Sequence, residues 1–398
     1  MVVFSYRETS RIMLAKNMQI VNAAKRLCPY NEQNRDNDGV ELFCPFMYNK
    51  CDGYAEKEID RFHFRTEKGH DMQNLFCDGL RENDRAKLLK VQKSDLHNHS
   101  TKGCRRAWLE ERLGRTFAAP PEKFGGLAGM QAWFTQNIKP WCKEREGLIV
   151  RWEGAFAEAK RNNIARLAMN FGTPEIDLIG GMDVFRALME GFHRAYCPET
   201  VFEPEITYVA VCNAEAEADR MERYIGDGFF RSMDVCGGED VQPVEAYLPL
   251  YRMAEKYRLI KRMHVGESGT ANDVQRAVET LGLDEVHHGI HAAESKKVMR
   301  FLADNGVTLH VCPSSNVMLG YAADYARHPI RMLYENGVPV TINTDDLLLF
   351  DSSIENEYLR LYQAGTLTAQ QLDDIRLNGL KMKNTVDNAE IGQADLCP

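Results

Sequence analysis

From Lys93 onward, short apolar or β-branched runs alternate with stretches of helical period, and that alternation predicts the fold. Residues 91–97 read as a first strand, and His97 and His99, two apart, project to the same side of it. Strands two to five are expected at 165–171, 206–211, 229–235 and 259–265, with helices at 152–163, 182–196, 214–225 and 244–257 between them. His288 ends strand six. Helix 293–305 sets Val298, Phe301 and Leu302 on one face, and Asn305-Gly306 supplies a stop before strand seven at 307–312. A helix near 328–335, Asn336-Gly337 and strand eight at 338–344 repeat the unit. Eight strands with helices between them predict an α/β fold, a (β/α)8 TIM barrel.

Three segments stand apart from this pattern. Residues 104–150 form a long insertion after strand one, with Pro120-Pro121, Gly125-Gly126 and the aromatics Trp108, Phe117, Phe124, Trp133, Phe134 and Trp141. It reads as a helical lid over a pocket or as a hydrophobic side lobe. Residues 1–92 are an N-terminal extension, partly helical at 18–27, 57–65 and 81–91, with no catalytic motif; it is a candidate packing or homo-oligomerisation segment. Residues 386–398 form a C-terminal tail.

Composition narrows the function. The 398 residues carry a formal net charge of −9, which argues against nucleic-acid or anionic-membrane partners and leaves a small molecule as the expected one. No window has the length of uncharged apolar sequence that a membrane span needs, and the N-terminus lacks a secretory pattern. Eleven cysteines scattered through the chain point to reduced thiols and a cytoplasmic location. Cys28, Cys44, Cys51 and Cys77 contain no CxxC pair.

The chemistry collects at strand ends, where a barrel of this kind builds its site. His97 and His99 close strand one, His264 closes strand five and Asp345 closes strand eight. Three imidazoles and a carboxylate suit one catalytic Zn2+ with a position left for water. Zinc over iron or manganese is a preference that follows from ligand type. Glu267, three residues past His264, is placed to donate a proton. His288 can orient or deprotonate the water, and Asp346 should point away from the metal toward substrate. His287 and His291 read as structural; His63, His70, His193, His310 and His328 belong to no constellation.

The pieces Leu96-His97-Asn98-His99, Ser232-Met-Asp234-Val-Cys-Gly237, His264-Val-Gly-Glu267-Ser and His288-Gly-Ile-His291 resemble the adenosine/AMP deaminase family of the amidohydrolase superfamily. So do Cys312-Pro-Ser-Ser-Asn316-Val-Met-Leu-Gly320 and Asn343-Thr-Asp345-Asp346-Leu-Leu-Leu-Phe350, with Leu377-Asn378 near the end. The resemblance covers about 93–385 and is most specific in the second half. It implies zinc-dependent hydrolytic deamination of an aminopurine nucleoside, adenosine-like to inosine-like plus ammonia. In that scheme Glu267 protonates N1, His288 acts as base and holds the attacking oxygen, Asp346 bonds N7, and the backbone N–H at Gly237 meets N3.

One departure bears on the substrate. The family usually follows His-x-His with an apolar residue, Asp and Gly, the Asp binding the ribose 5′ hydroxyl. Here the run is Ser100-Thr101-Lys102-Gly103-Cys104-Arg105-Arg106. Thr101 and Lys102 are the candidate substrate contacts at that end, and the cations could receive a 5′-phosphate or pair with Glu110 and Glu111. Two other classes share parts of this pattern. A polynuclear phosphoesterase shares the Asp95-Leu-His97-Asn-His99 opening but needs a bridging ligand that strand four lacks. A non-catalytic nucleoside-binding protein would not need Glu267. The Pro-Cys-x-x-Cys deaminase architecture is absent.

Overall fold

The computed structural model describes residues 72–381. The expected helices at 18–27 and 57–65, the tail 386–398 and the residues Cys28, Cys44, Cys51, His63 and His70 lie outside the described residues. Within them, strands β1 (Lys93–His99), β2 (Ile164–Gly172), β3 (Val201–Val209), β4 (Ser232–Cys236) and β5 (Ile260–Lys261) pair in parallel, in that order. A second parallel sheet runs β6 (His264–Val265), β7 (Glu285–His288), β8 (Thr308–Val311) and β9 (Val340–Ile342).

The two sheets are joined at both edges. β5 and β6 are one predicted strand interrupted at Arg262-Met263. Arg262 N–H still donates to Met233 of β4 at 2.8 Å, and Met263 accepts from His287 of β7 at 2.9 Å. At the other edge Asp345 N–H donates to His97 O at 2.9 Å and His99 N–H donates to Asp345 O at 3.3 Å. The Asn343 amide adds a side-chain link, accepting from Leu96 N–H at 2.8 Å. The result is the α/β architecture expected from the alternating pattern.

Local chemistry explains the helices between strands. Helix Ala271–Leu281 opens on Thr270, whose hydroxyl caps Asp273 N–H while the Asp273 carboxylate returns to Thr270 N–H. It buries Ala271, Val274, Ala277, Val278 and Leu281 along one stripe and stops at Gly282 in the left-handed region. Helix Lys296–Asn305 repeats the design with Ser295 as cap and Gly306 as stop, burying Val298, Met299 and Leu302.

Three boundaries differ from expectation. Helix Arg145–Arg161 starts inside the expected insertion, because Leu148, Trp152, Ala155 and Phe156 already share its buried face. β3 begins at Val201 rather than 206, and the register places Glu203 opposite Ala168 and Glu205 opposite Asn170. Residues 72–91 pack Phe76, Leu80, Leu88 and Val91 into the same apolar core as the strands and helices.

The insertion itself makes a smaller core. Helices Arg106–Leu113 and Leu127–Asn137 bury Leu109, Met130 and Phe134 with Phe117, Leu319, Leu348, Leu349 and Phe350. Phe124 N–H donates to Met318 O at 2.8 Å and Leu127 N–H to the Tyr321 hydroxyl at 3.4 Å. The insertion is therefore tied to the segments that follow β8 and β9, beside the strand ends that carry Asp345 and Asp346.

Candidate metal centre and its surroundings

The four ligands proposed from the sequence come together. His99 Nε2 lies 3.3 Å from His264 Nε2 and 3.2 Å from Asp345 Oδ1, and His97 Nε2 is 3.7 Å from the same carboxylate oxygen. His97 and His264 meet edge to face with ring centres 4.7 Å apart. All four residues are buried or nearly so. His97 Nε2 is enclosed without a hydrogen-bond partner among the described residues. A buried imidazole nitrogen without a hydrogen-bond partner, set beside a carboxylate and two further imidazoles, is chemistry that a cation can satisfy.

Their outer atoms are held from behind. Asp234 Oδ1 on β4 accepts from His264 Nδ1 at 3.0 Å, and Asn170 on β2 bonds His99 Nδ1 at 2.9 Å. The Thr207 hydroxyl holds the other Asp234 oxygen at 3.0 Å. Both partners set ring orientation, and the Asp234 carboxylate, by accepting from His264 Nδ1, leaves His264 Nε2 for a metal. Asp345 adopts a left-handed φ of +57°, as does His288 at +63°. Non-glycine residues take that conformation at a cost, and it turns both side chains into the barrel mouth.

Charge follows burial and neighbours. Burial and the adjoining imidazoles drive His97 well below the usual histidine range. Burial opposes Asp345, yet the hydrogen bond from His99 and the nearby imidazoles bring it well below the carboxylate range. Burial pushes Glu267 well above the usual carboxylate range, and the charges of Asp345 and Glu239 add to the shift. Glu267 is thus a neutral acid that can donate. Burial takes His288 down to about 3, so it is neutral.

Glu267 and His288 face one another, with His288 Nε2 3.5 Å from Glu267 Oε1 and 3.9 Å from Asp345 Oδ2. A chain of hydrogen bonds fixes the His288 tautomer. Ile330 N–H donates to His328 Nδ1 at 3.1 Å, so His328 presents Nε2–H to Asn316 Oδ1 at 3.3 Å. The Asn316 amide N–H then points at His288 Nδ1, 3.3 Å away, which must accept. Neutral His288 therefore carries its proton on Nε2, toward the pocket. Glu239 bonds Gly266 N–H (2.6 Å), Glu267 N–H (2.9 Å), Ser268 N–H (2.6 Å) and Gly269 N–H (3.2 Å), clamping the loop that presents Glu267.

The remaining candidates separate. Asp346 lies beside the ligands and accepts from Lys102 Nζ at 2.9 Å, with its Oδ1 buried and unpartnered. Gly237 follows β4 at a φ of +116°, which a side chain would not tolerate. Thr101 is anchored through its carbonyl by Arg151 Nη1 at 3.0 Å. Arg105 turns to Glu158, and Arg106 to Glu110 at 3.4 Å and Asp351 at 3.9 Å, so neither stands with Lys102. His287 bonds Glu205 at 3.0 Å and His291 bonds Glu294 at 2.8 Å. Sequence reasoning assigned no role to Asp234, Asn170, Asn316, His328 or Glu239. Asp234 was detectable as a carboxylate at a strand end; the others sit in segments whose approach only the fold reveals.

The pattern of the family described as adenosine deaminase matches residues 204–391. A putative adenosine/adenine deaminase of Treponema pallidum is 29% identical over 277 residues, 69% of this chain and 93% of its own. The adenosine deaminase of Erwinia tasmaniensis is 32% identical over 151 residues, and the match spans 38% of this chain and 46% of that protein, about half its length. A zinc-bound amidohydrolase from Burkholderia ambifaria shares the fold with a TM-score of 0.64 at 20% identity, over 77% of this chain and 90% of that one. The chain is therefore similar to adenosine deaminase-like proteins, and these matches support a hydrolytic deaminase.

Proposed function

We propose that the protein catalyses zinc-dependent hydrolytic deamination of an aminopurine. The observation that carries this reading is the convergence of His97, His99, His264 and Asp345 beside a neutral buried carboxyl, Glu267. Nitrogen and oxygen donors of this kind fit one Zn2+ held by those four residues, and the fold relative from Burkholderia ambifaria is described with bound zinc. When bound, the ion would supply Lewis acidity and lower the pKa of water at neutral pH.

The chain's own groups do the rest. Glu267 donates its proton to the ring nitrogen next to the carbon under attack, which makes that carbon electrophilic. His288 Nε2–H donates to the incoming oxygen and holds it on one face of the ring, the tautomer set through Asn316 favouring orientation. Asp346 and the backbone at Gly237 fix the ring in the plane. The insertion packs beside these strand ends, with Phe134 5.8 Å from the Lys102 ammonium, and lowers the local polarity around the charged groups. The Treponema relative's description, adenosine/adenine deaminase, agrees with a purine ring as the reacting group. A 5′-phosphorylated substrate has less support, since Arg105 and Arg106 are already paired with carboxylates away from Lys102.

Glu267→Gln tests the assignment. It should retain one metal per chain by elemental analysis while turnover falls by about 10²- to 10⁴-fold, the usual worth of a positioned general acid. Unchanged turnover would remove Glu267 from the mechanism.

A further inference from the structure

We infer that Lys102 and Asp346 form a two-point reader for an unsubstituted imidazole edge, making the preferred substrate a free aminopurine base rather than its nucleoside. The inference rests on the deaminase reading and refines its substrate.

Lys102 is not a loose surface lysine. Its N–H donates to His99 O at 2.7 Å and its carbonyl accepts from Leu348 N–H at 2.8 Å, which fixes the backbone at both ends. Its ammonium bonds Asp346 Oδ2 at 2.9 Å and lies 5.8 Å from the centre of the Phe134 ring, with 15% of the side chain exposed. The carboxylate it holds is deeper still. Asp346 Oδ1 is enclosed and has no partner among the described residues, and the carboxylate lies within 4.8 Å of the ligand atoms of His99 and Asp345. At the edge of the metal centre there is therefore an acceptor, Asp346 Oδ1, next to a donor, the remaining N–H groups of Lys102.

An imidazole ring with no substituent carries one N–H and one bare nitrogen, separated by a single carbon. That edge matches the pair, N–H to Asp346 Oδ1 and bare nitrogen to Lys102. A purine substituted at N9 has lost its only ring N–H on that side. It turns a bare N7 toward Asp346 Oδ1, which is then buried without a donor, and a carbon substituent toward Lys102. A site built to bond an N–H rejects the analogue that lacks it far more strongly than a size difference would, because its own polar group goes unpaired. With N7 at Asp346, a substituent on N9 would extend toward Lys102.

The test uses the zinc-loaded full chain with adenine, 9-methyladenine and adenosine, read as kcat/KM. The pair predicts that adenine leads and that 9-methyladenine falls by about 100-fold or more, although it adds only one methyl group. Lys102→Ala should shrink the adenine-to-adenosine ratio at least tenfold. Equilibrium titration of Glu267→Gln with adenine and 9-methyladenine gives the same ranking without turnover. Full retention of 9-methyladenine with loss of adenosine would make the exclusion one of bulk and overturn the reader. Equal handling of adenine and adenosine would overturn it too. Turnover of none of the three, with no binding to Glu267→Gln, would instead fail the deaminase reading.

Discussion

At the residue scale, function depends on side chains kept in states that water would not permit. Glu267 stays neutral because burial and the charges of Asp345 and Glu239 all penalise its anion. The metal ligands depend on partners behind them, above all Asp234 on His264 Nδ1. Asp234→Ala should weaken zinc binding by about 10- to 100-fold in a chelator-competition titration, with the fold intact by circular dichroism. Unaltered affinity would show that His264 is oriented by other contacts. Gly266 is the second sensitive point. At a φ of +71°, a Cβ there would sit 2.2 Å from Val274 Cγ2, so Gly266→Ala must shift the loop that carries Glu267. Gly266→Ala should cost about 1–3 kcal/mol of stability and most of the activity, seen together in thermal melts and turnover.

The convergence of His97, His99, His264, Asp345 and Glu267 could be anticipated from sequence because histidine and carboxylate pairs at strand ends are rare arrangements with a specific chemical use. Lys102 was expected at the substrate end, but its partner was not visible: Asp346 lies 244 residues away in the chain. Arg105 and Arg106 were equally cationic in sequence and turned elsewhere, because Glu158 and Glu110 lie on helices beside them.

At the element scale, strands were legible where they are apolar and obscured where the barrel interior is ionic. Val201-Phe-Glu-Pro-Glu looks like a loop, yet it is the first half of β3. Glu203 pairs with Arg166, and Glu205 pairs with Arg262 at 2.9 Å and bonds Ser232 at 2.9 Å, so both charges are paired inside. Arg262, 1% exposed, also meets Glu285 at 2.6 Å, and its position marks the interruption between β5 and β6. Periodicity cannot report such pairs because it treats every charge as solvated.

Lys93 gives this buried polarity a measurable consequence. It opens β1 fully buried, donating to Leu88 O at 2.6 Å and Val91 O at 2.5 Å, and burial lowers its pKa to about 7. Above that pH the folded chain has released a proton that the unfolded chain keeps until about 10.4. Stability should therefore rise with pH from about 7 through the mildly alkaline range, because the unfolded state binds more protons there. Lys93→Met should flatten that slope in denaturant titrations at pH 7 and 9. An unchanged slope would assign it to another group.

At the scale of the whole molecule, the candidate metal centre draws on strands from both sheets: His97 and His99 from β1, His264 from β6 and Asp345 just past β9. These elements meet where the two sheets join, so the ion would brace the seams as well as serve the chemistry. Chelation should lower the melting temperature, and stoichiometric Zn2+ should restore it, since a ligand that binds only the folded state stabilises it by mass action. An identical melt before and after chelation would mean that the site is empty or that the ion is not braced by both sheets. The alternating pattern predicted this architecture well, because helix stops such as Gly282 and Gly306 and apolar strands are local signals. The closure through His97, Asn98 and Asp345 was not predictable, since it depends on chain segments from opposite ends of the described residues.

The most direct measurement is ammonia release by the zinc-loaded chain, followed with the ultraviolet change of the ring, over adenine, adenosine, deoxyadenosine, AMP and N6-methyl variants. The account predicts one ammonia or methylamine per ring converted for at least one member, with adenine foremost. Zinc bound at one ion per chain with no amine released from any member would contradict it.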